Sequence, residues 1–246
     1  MDSRGHWSRR KLVRRVNISI IIPTLNEAVV IEQAATRARD TKPLEVIVAD
    51  GGSTDDTLRR AGEQNCRVIQ SAPGRGIQLN AGCAAARGDV LLMLHADNWL
   101  EPDALQQIIS ALQDTRVLAG AFHQRIESPR QVFRLIERGN ALRAARCGRP
   151  YGDQGIFMRR EVFEQLGGFP PVPLMEDVLL MRRFRRLGRP VLLPGPIHVS
   201  PRRWEQHGVL RQTLCNWLLL GGLRLGVAPE RLASFYRPHR AAGRDV

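Results

Sequence analysis

The chain has 246 residues, 43% hydrophobic and 25% charged, which suits a soluble globular protein of one large domain or two small ones. Its net charge of +13, from 37 Lys and Arg against 24 acids, favours anionic partners: phosphates, nucleic acid or an acidic membrane face. Four scattered cysteines with no C-x-x-C pair exclude a zinc pattern and a small disulfide-stapled scaffold, and no run reaches the roughly 18 apolar residues of a membrane span.

Residues 1–15 hold six Arg or Lys and one acid without a periodic apolar face, and read as a flexible basic arm. The short apolar run that follows is closed by Pro23 and does not make a signal peptide. From residue 16 strands and helices alternate. "VNISIII" is a strand, followed by a helix over 26–40 capped by Asn26. "LEVIVAD" is a second strand with a helix over 54–65, "RVIQ" a third with a helix over 76–87, and "DVLLML" a fourth. These continuous β-branched runs fit parallel strands buried on both faces. Their spacing fits βαβ units in an α/β fold with a mostly parallel central sheet flanked by helices.

Beyond residue 100 the pattern loosens. Glu101-Pro102-Asp103 opens a helix, "VLAGAFH" is a strand, and residues 130–146 are helical. "QGIFMRR" is a strand, residues 161–166 a helix and "GGFP" a turn. Residues 175–187 are helical, "PVLLP" and "IHVS" are two short strands, and residues 205–225 form one long apolar helix. The organisation expected is a single domain over 16–236 before a tail at 237–246. Within it lie a nucleotide-binding half at 16–98, an acceptor half at 99–204 and C-terminal helices at 205–236.

In parallel α/β sheets ligands bind beyond the carboxyl ends of the strands, and three motif-like stretches fall there. "IIPTLNE" offers Asn26 and Glu27 at a helix start, where N–H groups can hold a nucleotide, though simple capping uses the same residues. "ADGGSTDDT" places Asp50 before two glycines that permit close backbone approach; a capped turn would look alike. "HADN" offers His95 and Asp97 to a divalent cation, carboxylate suiting Mg²⁺ or Mn²⁺ and imidazole suiting Mn²⁺. "APGRGIQLNAG" adds a glycine loop with Arg75 that can cradle phosphate without being a Walker loop. "MED" sets Glu176 and Asp177 at a helix N-terminus, where the dipole favours carboxylates and a general base can sit. Asp153 and Gln154 precede a strand, His198 lies within one, and Arg202 and Arg203 can meet a diphosphate or solvent.

Taken in order, "SIIIPTLNE", "VADGGSTDDT", "GRGIQLNAG", "LLMLHADN", "GDQGIFMRR", "LGGFP", "LMEDVLLMRRFRRLG" and "SPRRWEQHG" resemble a family 2 glycosyltransferase of the GT-A fold. The likeness covers residues 18–236 and is nearest a compact bacterial subgroup without transmembrane segments. It implies a metal-dependent, inverting transfer of sugar from a nucleotide-diphosphate donor to a hydroxyl acceptor. Pro23, Thr24, Glu27, Asp50 and Gly52 would then line the nucleotide pocket, with Arg75 and Asn80 near the base and diphosphate. Asp97 matches the last Asp of the family's D-x-D and would hold Mn²⁺ or Mg²⁺, with His95 standing where the family has the first Asp. His198 matches a further metal ligand of some relatives. Asp177 matches the catalytic base, while Asp153, Gln154, Glu176, Arg203 and Trp204 would face acceptor or sugar.

"SPRRW" resembles the Q-x-x-R-W motif of membrane-bound synthases with Ser200 in place of Gln, which argues against processive polymer synthesis. UDP-sugars are the default donors and GDP-sugars the second choice; nucleic acid is not expected as a partner, given 5% aromatics and no recognised binding module. The alternatives are a nucleotide-sugar-binding relative impaired by His95 and a sugar nucleotidyltransferase, whose N-terminal glycine-arginine loop is lacking after Ile22. A cytoplasmic location is expected. The apolar helix around "LCNWLLLGGLRLG" leaves two readings open: a buried or homodimer-forming helix, and peripheral attachment to the inner face of the plasma membrane with a lipid-linked acceptor.

Overall fold

The computed structural model describes residues 16–235, so the expected basic arm, residue 236 and the tail lie outside it. Strands β1 (Ile18–Thr24), β2 (Glu45–Asp50), β3 (Arg67–Gln70) and β4 (Val90–Met93) pair in parallel in the order β3-β2-β1-β4. Helices α1 (Ile31–Asp40), α2 (Thr57–Glu63) and α3 (Arg75–Ala85) connect them. The alternation of β1 explains why its sequence is apolar throughout: successive side chains enter different cores. Ile20 and Ile22 join Ile31, Ala35 and Ile108 on one side, and Ile21 joins Ile47, Leu79 and Cys83 on the other. Helix α3 approaches so closely that a Cβ at Gly82 would lie 2.5 Å from Ile21 Cγ2.

The sheet then continues with mixed directions. Beyond β4 come β5 (Asn98–Leu100), α4 (Ala104–Ala111), β6 (Ala119–Ile126), α5 (Gln131–Cys147), a 3-10 turn (Gly152–Gln154), β7 (Phe157–Arg159), α6 (Arg160–Gln165), α7 (Glu176–Phe184) and β8 (Val191–Val199). β7 runs antiparallel to β4 and β6, β6 parallel to β8, and β5 antiparallel to β8, giving the order β3-β2-β1-β4-β7-β6-β8-β5. Three further helices follow, α8 (Arg202–His207), α9 (Val209–Arg224) and α10 (Pro229–Phe235). Ile126, Phe133, Val199, Trp204 and Val209 form a third, smaller core beneath α5, α8 and α9.

Several elements differ from the sequence reading for local reasons. Helix α1 begins at Ile31, and Asn26 does not cap it. Asn26 has a left-handed φ of 56°, and its Oδ1 accepts the Thr54 N–H at 2.9 Å, tying the loops after β1 and β2 together. "PVLLP" and "IHVS" form the single strand β8, because β6 pairs with both sides of a register irregularity. The expected long helix is divided at Gly208, whose φ of 81° a helix cannot continue through. β5 was not anticipated, and α10 falls within the expected C-terminal helices. Helix α9 buries one side only and leaves Leu210, Leu214, Trp217 and Leu218 exposed. No helix among the described residues is long and apolar enough to cross a membrane.

Candidate active site

An open cleft of about 400 Å³ lies at the carboxyl ends of β1 and β4, walled on the far side by the 3-10 turn, α7, α8 and α9. Pro23, Thr24, Glu27, Arg75, His95, Asp97, Asp153, Asp177, Arg203 and Trp204 all line it. Ten of the residues singled out in the sequence therefore converge on one cavity, although they span more than 180 positions of chain.

Asp50 is fully buried and not in the cleft lining. Its Oδ2 accepts the N–H groups of Gly52 and Ser53 at 2.8 Å each, and its Oδ1 accepts the hydroxyls of Ser53 at 2.5 Å and Thr24 at 3.3 Å. Gly52 has a φ of 91°, which a side chain would strain. The Glu27 N–H donates to Thr57 Oγ1 at 2.8 Å and the Ala28 N–H to Asp55 Oδ2 at 3.2 Å, fixing the loop after β1. Burial, then the nearby Asp97 carboxylate, pushes the Glu27 carboxyl up to about 7. Glu27 therefore holds its proton to a higher pH than an exposed glutamate, which limits the negative charge on this side of the cleft.

His95 and Asp177 both approach Gly152. A Cβ added to Gly152 would stand 3.0 Å from His95 Nε2 and 3.1 Å from Asp177 Oδ2, so a larger residue would intrude between them. Asp177 is nearly buried; its Oδ2 accepts the Gly152 N–H at 2.5 Å and its Oδ1 the Val178 N–H at 2.8 Å. Desolvation, then Arg75, pushes the His95 imidazole pKa down against the opposing pull of Asp97, Asp153 and Asp177, so the ring is held toward its neutral form.

Other expected site residues act one step back from the cavity. Gln154 is fully buried: its Oε1 accepts the Tyr151 N–H at 3.1 Å and Arg143 Nη2 at 2.9 Å, and its amide donates to the Phe122 carbonyl at 3.3 Å. It thus fixes the turn that presents Asp153. Glu176 is buried against Arg75 in an ion pair that locks α3 to the start of α7. Asn80 exchanges hydrogen bonds with the Phe169 backbone at 2.8 and 2.9 Å, joining α3 to the "GGFP" turn.

His198 stands apart from the cleft-lining set. Its Nδ1 meets Glu127 at 2.7 Å, its Nε2 meets Glu101 at 2.8 Å, and its ring stacks on Trp99 at 5.1 Å. The strand explains this: Val199 faces the cleft, so His198 beside it faces the other side.

The sequence reading missed Gln78, Asn98, Tyr151, Met175 and Asn216, all of which line the cleft. Gln78 is a buried polar residue in α3 that donates to the Thr24 carbonyl at 2.5 Å, a signal visible only once α3 was known to cover β1. Three polar atoms in the lining are buried without a partner: Asn98 Oδ1, Asp153 Oδ1 and Trp204 Nε1. Buried polar atoms are rarely left unsatisfied, and these three belong to residues of the cleft wall. Among the described residues, no three His, Cys, Asp or Glu side chains gather to hold a metal. The pair His95 and Asp97 still suits a cation whose remaining positions are filled by phosphate oxygens and water, the usual arrangement for Mg²⁺.

Comparison with known proteins agrees with this geometry. Residues 19–167 match the family model described as Glycosyl transferase family 2. The chain is 30% identical over 235 aligned positions to a PGL/p-HBAD biosynthesis glycosyltransferase of Mycobacterium tuberculosis, covering 85% of this chain and 86% of that one. It is 28% identical over 183 positions to an uncharacterised glycosyltransferase of Nostoc sp., covering 64% of this chain but only 55% of the relative's length. Among solved structures, glucosyl-3-phosphoglycerate synthase from M. tuberculosis, in complex with Mn²⁺, UDP and glucosyl-3-phosphoglycerate, is 25% identical with a TM-score of 0.55, covering 81% of this chain and 77% of that chain. A mannosyltransferase from Pyrobaculum calidifontis, in complex with GDP-Man and Mn²⁺, shares the fold at a TM-score of 0.60 and 23% identity, covering 76% and 56%. The fold is GT-A.

Proposed function

Because the chain belongs to glycosyl transferase family 2, matched by the family model over more than half its length, we propose that it performs an inverting, metal-dependent sugar transfer from a nucleotide-diphosphate donor to a hydroxyl acceptor. The observation that carries this reading is the convergence of His95, Asp97, Asp153 and Asp177 on one cleft, with His95 and Asp177 both about 3 Å from a single point beside Gly152.

Asp177 is the proposed base. The Gly152 and Val178 N–H groups fix its carboxylate, so it faces the cleft in one orientation and can take the proton of an acceptor hydroxyl as that oxygen attacks the anomeric carbon. A single displacement with one base inverts the anomeric configuration. Pro23, Thr24, Glu27 and Arg75 form the donor side of the cleft. Asp153, Asn98 and Trp204, which also line the cleft, would face the sugar or acceptor. Asp97 and His95 would hold Mn²⁺ or Mg²⁺, and the neutral imidazole keeps its lone pair available. When bound, the cation supplies Lewis-acid stabilisation of the charge that develops on the departing nucleoside diphosphate. His198, paired with two glutamates away from the cleft, is left out of this set. UDP-sugars are the preferred donors and GDP-sugars the second choice.

The experiment is a panel of UDP-, GDP- and dTDP-sugars incubated with the full chain in Mn²⁺, in Mg²⁺ and in EDTA, with release of nucleoside diphosphate as readout. Turnover of one donor class in Mn²⁺ that disappears in EDTA is expected. Equal turnover with and without chelator overturns the metal assignment, and no turnover or binding of any donor overturns the transferase chemistry.

A further inference from the structure

Helix α9 carries apolar side chains all round, and its two faces differ in exposure. Inward, Val209, Gln212 and Leu219 are buried, and Asn216 and Leu220 line the cleft. Outward, Leu210 is 82% exposed, Leu214 56%, Trp217 68%, Leu218 66% and, just past the helix end, Leu225 88%. Positions 210, 214, 217, 218, 221 and 225 recur at helical spacing and form one continuous stripe. A soluble monomer scatters its exposed apolar residues and rarely aligns five of them along one helix.

The charges beside the stripe select its occupant. Arg211 and Arg224 are exposed and border it on its two sides, and α9 contains no Asp or Glu. A second copy of the chain would bring this face against its own arginines with no acid on either α9 to pair them. Anionic headgroups would pair them. The arginine stems can lie along the apolar stripe with their guanidinium groups at headgroup level, and an exposed tryptophan suits the same boundary. The chain's net charge of +13 adds attraction of the same sign.

We infer that the outward face of α9 docks the protein on an anionic phospholipid bilayer, the helix lying along the surface as an interfacial anchor. Because Asn216 and Leu220 sit on the opposite face of the same helix, docking brings the cleft wall within about one helix diameter, roughly 10–12 Å, of the bilayer. A hydroxyl acceptor carried on a lipid could then enter without leaving the membrane. That consequence rests on the transferase reading; the docking does not, and its test uses no donor.

The full chain is sedimented with vesicles of phosphatidylcholine alone and of phosphatidylcholine mixed with phosphatidylglycerol. Binding to the mixed vesicles is expected, weakening with salt, with a blue shift in tryptophan emission that Trp217→Phe removes. Leu214→Gln combined with Leu218→Gln should lower binding by more than about tenfold while circular dichroism and melting stay as in the parent. Arg211→Gln combined with Arg224→Gln should lower binding to mixed vesicles while keeping the apolar stripe. Absence of vesicle binding overturns the proposal, as does parent-like binding by the leucine variant. A dimer in light scattering that the leucine variant disperses, without vesicle binding by the parent, also overturns it and makes the face a self-association surface.

Discussion

Residues 16–98 and residues 99–235 serve one cleft by different physical means. In the first part, most candidate groups sit on or just past the end of a parallel strand, so sheet register places them: Thr24 pairs with Asp50 across β1 and β2, while Arg75 and Asn80 ride on α3. In the second part, the strands run in both directions, and the candidate groups ride on other elements. Asp153 lies in a 3-10 turn, Asp177 at the start of α7, and Arg203 and Trp204 in α8. Side-chain hydrogen bonds take over the task of the ladder there. Gln154 holds the turn, Arg143 stacks on Tyr151 at 3.2 Å, and the Gly152 N–H holds Asp177. A part placed chiefly by strand register and a part placed chiefly by side-chain ties should differ in how single substitutions affect them.

The largest effect is expected in the second part. Asp177→Asn keeps the size of the side chain and, with its amide oxygen toward Gly152, retains that contact while giving up the one from the Val178 N–H, and it removes the proton acceptor. Product formation should fall by about 10²–10⁴, while donor binding, measured by calorimetry, and melting temperature stay near those of the parent. A variant with parent-like turnover would move the base elsewhere. A variant that loses rate only by unfolding would make Asp177 a structural tie like Gln154.

The same contrast explains what could be read from sequence. "VNISIII", "LEVIVAD" and "DVLLML" announced their strands because burial on both faces leaves continuous apolar runs, and the order of motifs brought out the family. The three-residue strand β5, the joining of two segments into β8 and the break at Gly208 depend on partners distant in sequence, or on one backbone angle. Asp97, Asp153 and Asp177 could be named from their motifs. Asn98 and Tyr151 could not, since an Asn after an acid and a Tyr before a glycine read as ordinary turn residues until the cleft is assembled. Asp50 and Glu176 drew notice as polar residues in motifs, and both are packed beneath the cavity with their charges already engaged.

A smaller, structural effect sharpens the comparison from the side of the parallel half. Gly82 lets α3 rest on β1, and a methyl there would meet Ile21 Cγ2 at 2.5 Å and the Ala49 methyl at 3.3 Å. Both neighbours belong to strands held in register on each side, so little room exists to relax. Gly82→Ala should destabilise the protein by about 1–3 kcal/mol, lowering the melting temperature by about 2–4 °C for each kcal/mol in a chain of this size. An unchanged melting temperature would show that α3 can slide on the sheet, and the picture of a rigid parallel half would fail.

The smallest effect has the opposite sign and falls in the second part. Gly139 lies in the middle of α5, and a Cβ built there meets nothing within 4 Å. The helix gains no packing from the glycine and bears its backbone entropy. Gly139→Ala should therefore stabilise the protein by about 1 kcal/mol, read as a rise in the urea midpoint with an unchanged slope. Nearby Arg143 and Asn140 brace the turn that carries Asp153, with Arg143 Nη1 donating to Asn140 Oδ1 at 2.9 Å. A firmer α5 that leaves turnover untouched would mean these side-chain ties already hold this side of the cleft rigidly. A gain in stability accompanied by slower turnover would mean that this side works by moving, which the parallel half, braced by its ladders, does not.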